Sequence, residues 1–345
     1  MKTKVYDLLN SAEYDSGIHE GSAAIRRGGI VVFPTETVYG LGADAYNAQA
    51  VAKIFAAKGR PADNPLIVHI ARPEDIFLAA ESVPGDAEKL IEAFMPGPIS
   101  IILPKNRRIP DEVTAGLPTV AVRCPSRTEA SDFIAACGVP IAAPSANISH
   151  KPSPTMPEHV LTDMMDKADV ILTAGRCSVG LESTVVDVLS GKACILRPGA
   201  ISAEMISDVI GRDVENSYEL KGGEVPKAPG MKYPHYKPKA HVVAVHGDPA
   251  KAAGYIRMRL SGTAEEGYSN PACAVFKGQD VECSNKWLYN APSDADEAAN
   301  RLFEYLRACD TKGIDIIFVM CEDGAGLWEA YANRLHKAAD EMIYL

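Results

Sequence analysis

Short apolar runs alternate with helical patterns along the N-terminal half of the chain. Asn47 can cap a helix that continues through Val51, Ile54 and Phe55, and Pro157 suits the first turn of another helix. The pattern predicts an α/β sheet with several irregular connections. The runs rich in β-branched residues, which are typical of strands, are 30–33, 66–70, 99–103, 120–122 and 184–188.

The hydrophobic periodicity disappears over 211–240, where prolines and glycines separate lysine, tyrosine and histidine residues. Proline-rich segments are semi-rigid and extended. We therefore predict a Pro-rich linker at 211–240 that could lie across a neighbouring site. It divides the chain into an N-terminal domain, 1–210, and a smaller C-terminal domain, 241–345.

The C-terminal segment also alternates strands and helices. Asp248 can cap a helix that has Pro249 at its first position, and residues from Leu327 to Met342 place apolar side chains on one face of a last helix. This order predicts a small Rossmann-like α/β domain. Its other predicted elements are strands at 241–245, 273–276 and 314–320 and a helix at 294–309.

Composition narrows the classes of function. The 345 residues are 47% hydrophobic and 23% charged, with a formal net charge of −10, which is typical of a globular protein and disfavours an extended nucleic-acid surface. No long apolar run or signal peptide is recognisable. The eight scattered cysteines suit a reducing compartment. We expect a cytoplasmic protein with no membrane contact and no stable nucleic-acid binding.

One glycine pattern points to a cofactor only superficially. Gly40, Gly42 and Ala45 match G-x-G-x-x-A, and Asp63 follows about 20 residues later. The glycines do not follow a predicted strand, and the next helix begins only after Asn47. We interpret the stretch as a tight turn rather than a dinucleotide site.

Two polar segments could bind an anion. Lys58 and Arg60 lie at a predicted helix end, where cations also suit the helix dipole without any ligand. Ser145 and Asn147 follow the apolar run 140–143, and ligands bind at the carboxyl ends of strands in α/β folds. Lysine and arginine neutralise phosphates, while serine and asparagine can orient them.

Other polar residues have both a structural and a functional interpretation. Arg123 and Arg197 each end an apolar strand, so each needs a protein carboxylate or an anionic ligand. His69 and Ser183, taken alone, fit a core histidine and an ordinary strand-edge hydroxyl. Familiar hydrolase and Walker motifs are missing, and the histidines at 235, 241 and 246 have no acidic neighbours at metal-ligand spacing.

The ordered motifs together resemble the YrdC-like L-threonylcarbamoyladenylate synthases over about residues 10–210. The linker and the C-terminal segment are similar to the two-domain long form of that family. The resemblance implies a YrdC-like twisted mixed sheet with helices, followed by the smaller domain. The segments that carry it are 34–42, 58–66, 144–147, 182–187, 196–199, 228–238 and 333–339.

The resemblance also implies a reaction, in which L-threonine, bicarbonate or CO2, and ATP give threonylcarbamoyl-AMP and pyrophosphate. Other proteins would transfer the threonylcarbamoyl group to tRNA. Mg²⁺ would be held mainly by phosphate oxygens. The family motifs match a catalytic tetrad at Lys58, Arg60, Ser145 and Asn147, which also binds ATP, further ATP contacts at Asn64, Thr119, Ser153, Arg197, His235 and Tyr236, and threonine contacts at Thr35, His69, Arg123 and Ser183.

Two alternatives belong to other classes. Carbamoyltransferases that form carbamoyl adenylate share the N-terminal domain, but their paired C-x-x-C segments are missing from this sequence. An RNA-binding module could use Lys58, Arg60, Arg107 and Arg108 on double-stranded RNA. The acidic net charge and the lack of interleaved aromatic residues count against it.

Overall fold

The computed structural model describes residues 2–189, 191–217, 226, 236–289, 294–322 and 324–345. The chain divides into two compact units, one within 1–149 and 153–233 and the other within 150–152 and 234–345. The domain boundaries predicted from the sequence stay a prediction. None of the described helices has the length and apolar character that a bilayer crossing requires.

The first unit is a large twisted mixed sheet with helices. Its helices are α1 Ser11–Arg26, α2 Ala48–Lys58, α3 Gly85–Phe94, α4 Asp111–Thr114, α5 Thr128–Cys137, α6 Pro157–Met164 and α7 Ala203–Ile210, with a 3-10 helix at Pro73–Leu78. Its strands are β1 Lys4–Asp7, β2 Val31–Phe33, β3 Gly40–Asp44, β4 Ile67–His69, β5 Ile99–Pro104, β6 Thr119–Arg123, β7 Ile141–Ala143, β8 Val170–Thr173, β9 Thr184–Asp187, β10 Ala193–Arg197 and β11 Val214–Asn216.

The strand order fixes which residues meet at each edge of this sheet. The order is β1-β8-β2-β3-β7-β4-β6-β5-β9-β10-β11. Strand β4 is parallel to β6, with His69 opposite Arg123, and antiparallel to β7, with Ile67 opposite Ala143. The residues that precede β4 therefore lie beside those that follow β7, while the end of β4 lies beside the end of β6. The apolar strands predicted from the sequence are confirmed.

Helix α2 begins and ends where its sequence predicts. The Asn47 side chain accepts a hydrogen bond from Ala50 N, and Gly59 ends the helix in the left-handed conformation with φ 61°. Val51, Ile54 and Phe55 are buried at spacings of three and four residues. This geometry fixes the end of the helix, where Lys58 lies.

The G-x-G stretch is strand β3, so the predicted tight turn is wrong. A Cβ at Gly42 would lie 2.5 Å from Ile141 Cγ2 and 2.9 Å from Phe33 Cε1, and a Cβ at Gly40 would lie 2.9 Å from Phe33 Cε1. The glycines are therefore needed because the Phe33 ring packs directly on the strand. They make room for a side chain of the core and not for a cofactor.

The structure differs from the predicted linker at its beginning. Residues 214–216 form strand β11, which pairs in parallel with β10. Ser217 N then donates a hydrogen bond to Ile195 O at 2.9 Å. Hydrophobic periodicity is hard to read in a three-residue edge strand with exposed residues. The rest of the predicted linker up to residue 235 lies outside the described residues, apart from Pro226.

The second unit is a parallel sheet with helices, which confirms the predicted α/β class. Its strand order is β14-β13-β15-β12-β16, and the pairings are parallel. Asp248 caps α8 through Ala250 N and Lys251 N, as predicted. The elements are β12 His241–His246, α8 Pro249–Gly262, β13 Pro271–Phe276, β14 Asn285–Tyr289, α9 Ala295–Lys312, β15 Ile316–Cys321, α10 Leu327–Ala338 and β16 Glu341–Tyr344.

The last helix is shorter than predicted. Helix α10 ends at Ala338, and Met342 lies on strand β16, where it pairs with Ala244 and is half exposed. The chain leaves the helix after Ala338. Asp340, which precedes strand β16, is fixed by its carboxylate, which accepts a hydrogen bond from Val242 N at 3.0 Å. A tertiary contact thus overrides the helical spacing that included Met342.

Candidate functional site

Lys58 gathers the loop that follows strand β7. Its ammonium, on a side chain only 2% exposed, donates to Ser145 O at 2.5 Å and to Asn147 O at 2.6 Å. A third hydrogen bond reaches Asn147 Oδ1 at 3.2 Å, and Ser145 Oγ donates to the same oxygen at 2.5 Å. We call Lys58, Ser145 and Asn147 the lysine cluster. The structure brings these three predicted tetrad residues together.

Further predicted ATP contacts lie at the same sheet edge. The partly buried Arg60 guanidinium donates through Nη2 to Asn64 O at 3.3 Å and Pro65 O at 3.2 Å. Asn64 is 1% exposed, and its Oδ1 has no hydrogen-bond partner among the described residues. Thr119 begins strand β6, parallel to β4, and therefore lies at this edge too.

At the opposite end of β4 and β6, Arg123 meets the loop that follows strand β2. Its Nη2 lies 2.6 Å from Glu36 Oε1, and its Nη1 donates to Thr37 Oγ1 at 2.8 Å. The hydroxyl oxygens of Thr35 and Thr37 are 2.9 Å apart. Thr35 Oγ1 also donates to Val38 O at 2.6 Å, which closes the loop on itself. We call Thr35, Glu36, Thr37 and Arg123 the arginine cluster.

His69 lies beside this cluster as a neutral imidazole. Burial and the positive charge of Arg123 lower the pKa of His69 to about 3. The His69 and Phe33 rings pack in a T-shaped arrangement, with their centroids 5.7 Å apart. Its Nδ1 is buried and has no hydrogen-bond partner among the described residues. At neutral pH this side chain can therefore donate or accept a hydrogen bond but carries no charge.

Ser183 and Arg197 form a third group at the same edge as His69. Arg197 donates through Nη2 to Ser183 Oγ at 3.1 Å and through Nε to Ser183 O at 3.0 Å. The Ser183 hydroxyl also lies 2.8 Å from Ser100 Oγ. The charge of Arg197 further lowers the pKa of His69. A predicted ATP contact, Arg197, thus touches a predicted threonine contact, Ser183.

Ser153, another predicted ATP contact, lies next to this group. Its hydroxyl donates to Glu182 Oε1 at 2.5 Å, and both side chains are buried. Glu182 immediately precedes Ser183 in the chain. Within the first unit, the residues predicted for ATP are therefore divided between the sheet edge that holds the lysine cluster and the surroundings of Ser183.

The two predicted linker residues are placed differently. Tyr236 belongs to the second unit, is 5% exposed, and packs on Phe303 with ring centroids 4.9 Å apart. The Arg334 guanidinium lies 6.0 Å from the same ring. His235 lies outside the described residues. The prediction that both residues contact ATP stays a prediction.

Sequence reasoning missed three polar residues of these groups, namely Glu36, Thr37 and Ser100. Glu36 and Thr37 stand inside the motif 34–42, beside Thr35, and the position of Arg123 at a strand end predicts a protein carboxylate or an anionic ligand for it. Those two signals together could have suggested Glu36. Ser100 lies inside an apolar strand and carries no comparable signal.

The site is built to hold charge in fixed positions. Lys58, Arg123 and Arg197 are buried and hydrogen-bonded, so they are preorganised for phosphate or carboxylate groups. Among the residues that the structure describes, no group of three His, Cys, Asp or Glu side chains could hold a metal ion.

Comparison with known proteins decides the family. The family model described as "Telomere recombination", for Sua5, YciO and YrdC proteins, matches residues 23–199, and the model of the "Threonylcarbamoyl-AMP synthase, C-terminal domain" matches residues 201–340. A threonylcarbamoyl-AMP synthase from Pyrococcus abyssi is 42% identical over 320 residues, which cover 92% of this chain and 93% of that protein. The chain belongs to the threonylcarbamoyl-AMP synthase family.

Other members of the threonylcarbamoyl-AMP synthase family match over the whole length. The Bacillus subtilis protein is 39% identical and covers 98% of both chains. The crystal structure of P. abyssi Sua5 complexed with L-threonine matches with a TM-score of 0.92, at 39% identity and with 100% of both chains covered. The predicted family, the two-domain long form and the enzyme class are confirmed.

Proposed function

We propose that this chain makes threonylcarbamoyl-AMP and pyrophosphate from L-threonine, bicarbonate or CO2, and ATP. One observation carries the proposal, namely that buried cationic groups lie at both ends of the short strand β4. The lysine cluster lies beside its beginning, and the Arg123 guanidinium lies at its end, next to the neutral His69. The crystal structure of P. abyssi Sua5 complexed with L-threonine supports the choice of substrate.

The lysine cluster would bind the nucleotide. Because three protein oxygens hold the Lys58 ammonium in place, the positive charge is fixed before a phosphate arrives, which lowers the cost of positioning. Arg60, Ser145 and Asn147 would contribute donors around it. The buried Asn64 Oδ1 could accept a hydrogen bond from a hydroxyl or amino group of the nucleotide. Thr119 would contribute its hydroxyl.

The arginine cluster and its neighbours would bind threonine. The Arg123 guanidinium suits the carboxylate of an amino acid because it can donate two parallel hydrogen bonds. Thr35, His69 and Ser183 would surround the rest of the substrate. Arg197 and Ser153 adjoin Ser183, so they would contact the part of ATP nearest to threonine.

The protein would act mainly by positioning the reactants. Threonine carboxylated at its amine would attack the α-phosphate, and pyrophosphate would leave. Mg²⁺ would neutralise phosphate charge and be held mainly by phosphate oxygens. His235 and Tyr236 stay proposed ATP contacts. The product would supply proteins that transfer the threonylcarbamoyl group to tRNA, and the protein would act in the cytoplasm.

Product analysis tests this function directly. Purified protein is incubated with ATP, Mg²⁺ and bicarbonate, and with threonine, serine or no amino acid. We expect threonine-dependent pyrophosphate and a product with the mass of threonylcarbamoyl-AMP. Turnover that needs carbamoyl phosphate instead of threonine and bicarbonate would contradict the proposal.

A pair of lysine variants tests the nucleotide end. Lys58→Met should abolish most ATP binding, measured by calorimetry, and should lower the free energy of unfolding by about 1–3 kcal/mol because carbonyl oxygens lose their donor. Lys53→Met is the matched control, since Lys53 lies on the same helix and donates to Gly28 O at 2.6 Å on the surface. Equal ATP affinity in both variants would contradict the assignment.

A further inference from the structure

Several buried polar atoms of the arginine cluster have no hydrogen-bond partner within the part of the chain that the structure describes. Neither Glu36 oxygen has a hydrogen-bond partner among the described residues, and its charge is balanced only through the 2.6 Å ion pair with Arg123. Arg123 Nε and His69 Nδ1 are also buried and have no hydrogen-bond partner among the described residues. Unsatisfied buried polar atoms are costly and rare in folded proteins. Their convergence from three separate segments points to a polar ligand.

The unsatisfied atoms include both donors and acceptors. Arg123 Nε can donate to an anion, and the Glu36 carboxylate can accept hydrogen bonds from a cation. Glu36 is 6% exposed and Arg123 is 4% exposed, so both charges are held away from bulk water. An amino acid in its zwitterionic form carries a carboxylate and an ammonium two bonds apart, which matches this adjacent pair of opposite charges.

We propose that Glu36 is a catalytic residue that accepts hydrogen bonds from the threonine ammonium and removes a proton from it before carboxylation. This inference rests on the proposed function, in which Arg123 binds the threonine carboxylate. An ammonium has no electron pair with which to attack carbon, so a base is needed in this step. His69 is a poor base because its pKa is lowered to about 3.

The proton transfer balances with the carbon donor that the reaction already uses. One ammonium N–H bond breaks, and an O–H bond forms on the Glu36 carboxylate. The freed electron pair of nitrogen forms a bond to the carbon of CO2, and one C=O electron pair moves to oxygen. Nitrogen then loses its second proton to water, which leaves the carbamate anion. Glu36 returns its proton to water before the next turnover.

The groups around Glu36 allow a pH experiment to report on the ionisation of the threonine amine. Besides Arg123, the titratable groups around Glu36 include Cys124 and Cys177, and His69 lies beside the same arginine. Burial raises the pKa of both thiols to about 12. Between about pH 7 and pH 9 the two thiols stay protonated and His69 stays neutral, while threonine gains free amine.

Glu36→Gln tests the proposal because glutamine keeps the shape of the side chain but cannot take a proton. We expect kcat/KM for threonine, followed by pyrophosphate release, to fall about 100-fold at pH 7. The loss should shrink markedly by pH 9, since the free amine no longer needs a base. A loss of equal size at both pH values would show that Glu36 only positions Arg123, and full activity would also overturn the proposal.

Two further variants keep the experiment decisive. Glu36→Asp retains a carboxylate, should fold even if the amide variant does not, and should keep more activity at pH 7 than Glu36→Gln. Glu129→Gln is the matched control, because Glu129 forms a mostly buried pair with Arg127 at 3.1 Å and should leave kcat/KM unchanged. If the wild-type protein releases no threonine-dependent pyrophosphate, the proposed function fails. Wild-type turnover with an active Glu36→Gln variant overturns the role of Glu36 alone.

Discussion

Single residues of the site serve the fold and the chemistry together. Lys58 was predicted to bind phosphate, and in the structure its ammonium also ties the loop containing Ser145 and Asn147 to helix α2. Arg123 was predicted to need a carboxylate or a ligand, and Glu36 supplies a carboxylate 2.6 Å away. The need for a partner is readable from the sequence, because a buried guanidinium must be neutralised. Only the position of Glu36 inside the motif 34–42 hints at the partner, since Glu36 and Arg123 are far apart in the chain.

His69 should make stability depend on pH. Its pKa is about 3 in the folded chain and 6.5 in the reference state, so the unfolded chain binds the proton first as the pH falls. The contribution of His69 to the free energy of unfolding is then fully present above about pH 6.5, and it decreases by roughly 1.4 kcal/mol per pH unit below that value. We expect the free energy of unfolding in urea to fall by about 2 kcal/mol between pH 7 and pH 5 from this group.

The His69→Gln variant measures that contribution. It should lose this part of the pH dependence, because glutamine does not titrate. His19→Gln, at an exposed position of helix α1, is the control and should behave like the wild-type protein. The same pH dependence in His69→Gln and the wild-type protein would refute the assignment.

At the scale of elements, strands with strong apolar runs were predictable and the others were not. Strand β14 contains Asn285, Lys286 and Trp287, and its side chains alternate between partly buried and exposed positions. Strand β16 was included in a helical pattern. Both lie at the edges of their sheet, where one neighbouring strand instead of two defines the element. Pairing with a distant partner, which sequence spacing does not record, determines their conformation.

Strand β3 provides a test at this scale. Gly42→Ala should lower the free energy of unfolding by about 1–3 kcal/mol because the new methyl group overlaps Ile141 and Phe33. Urea unfolding monitored by circular dichroism measures the change. Gly85→Ala is the control, since a Cβ at that helical position meets no atom within 4 Å. A Gly42→Ala variant as stable as the control would show that the strand moves to accept the methyl group.

Considered as a whole molecule, the chain does not present the charge of an RNA-binding protein. Its formal net charge is −10, and Lys58, one of the four cations considered for an RNA groove, is 2% exposed. Arg108 stacks over the Tyr46 ring at 3.8 Å. The family was readable from several motifs in a fixed order. The meeting of those motifs at two edges of one sheet needed the strand order, because β4, β6 and β7 come from distant parts of the chain.

We therefore expect no stable complex with double-stranded RNA or tRNA. Gel-shift experiments at about 50 mM salt should show no retained RNA, because few uncompensated cations are available to release counterions. Replacing both Arg107 and Arg108 by alanine should leave the amount of retained RNA unchanged. Affinity that is measurable and falls steeply with salt would contradict this expectation.

The pairing of β1 with β8 has a consequence for synthesis on the ribosome. Thr173 Oγ1 donates to Tyr6 O across 167 positions of sequence. At roughly 5–20 residues per second, the first strand waits about 10–30 seconds for its partner to be translated. Most of its residues are exposed even in the finished fold, and it carries Lys4 and Asp7 at its ends. A nascent chain can therefore keep this strand unpaired in water without exposing an aggregation-prone apolar edge.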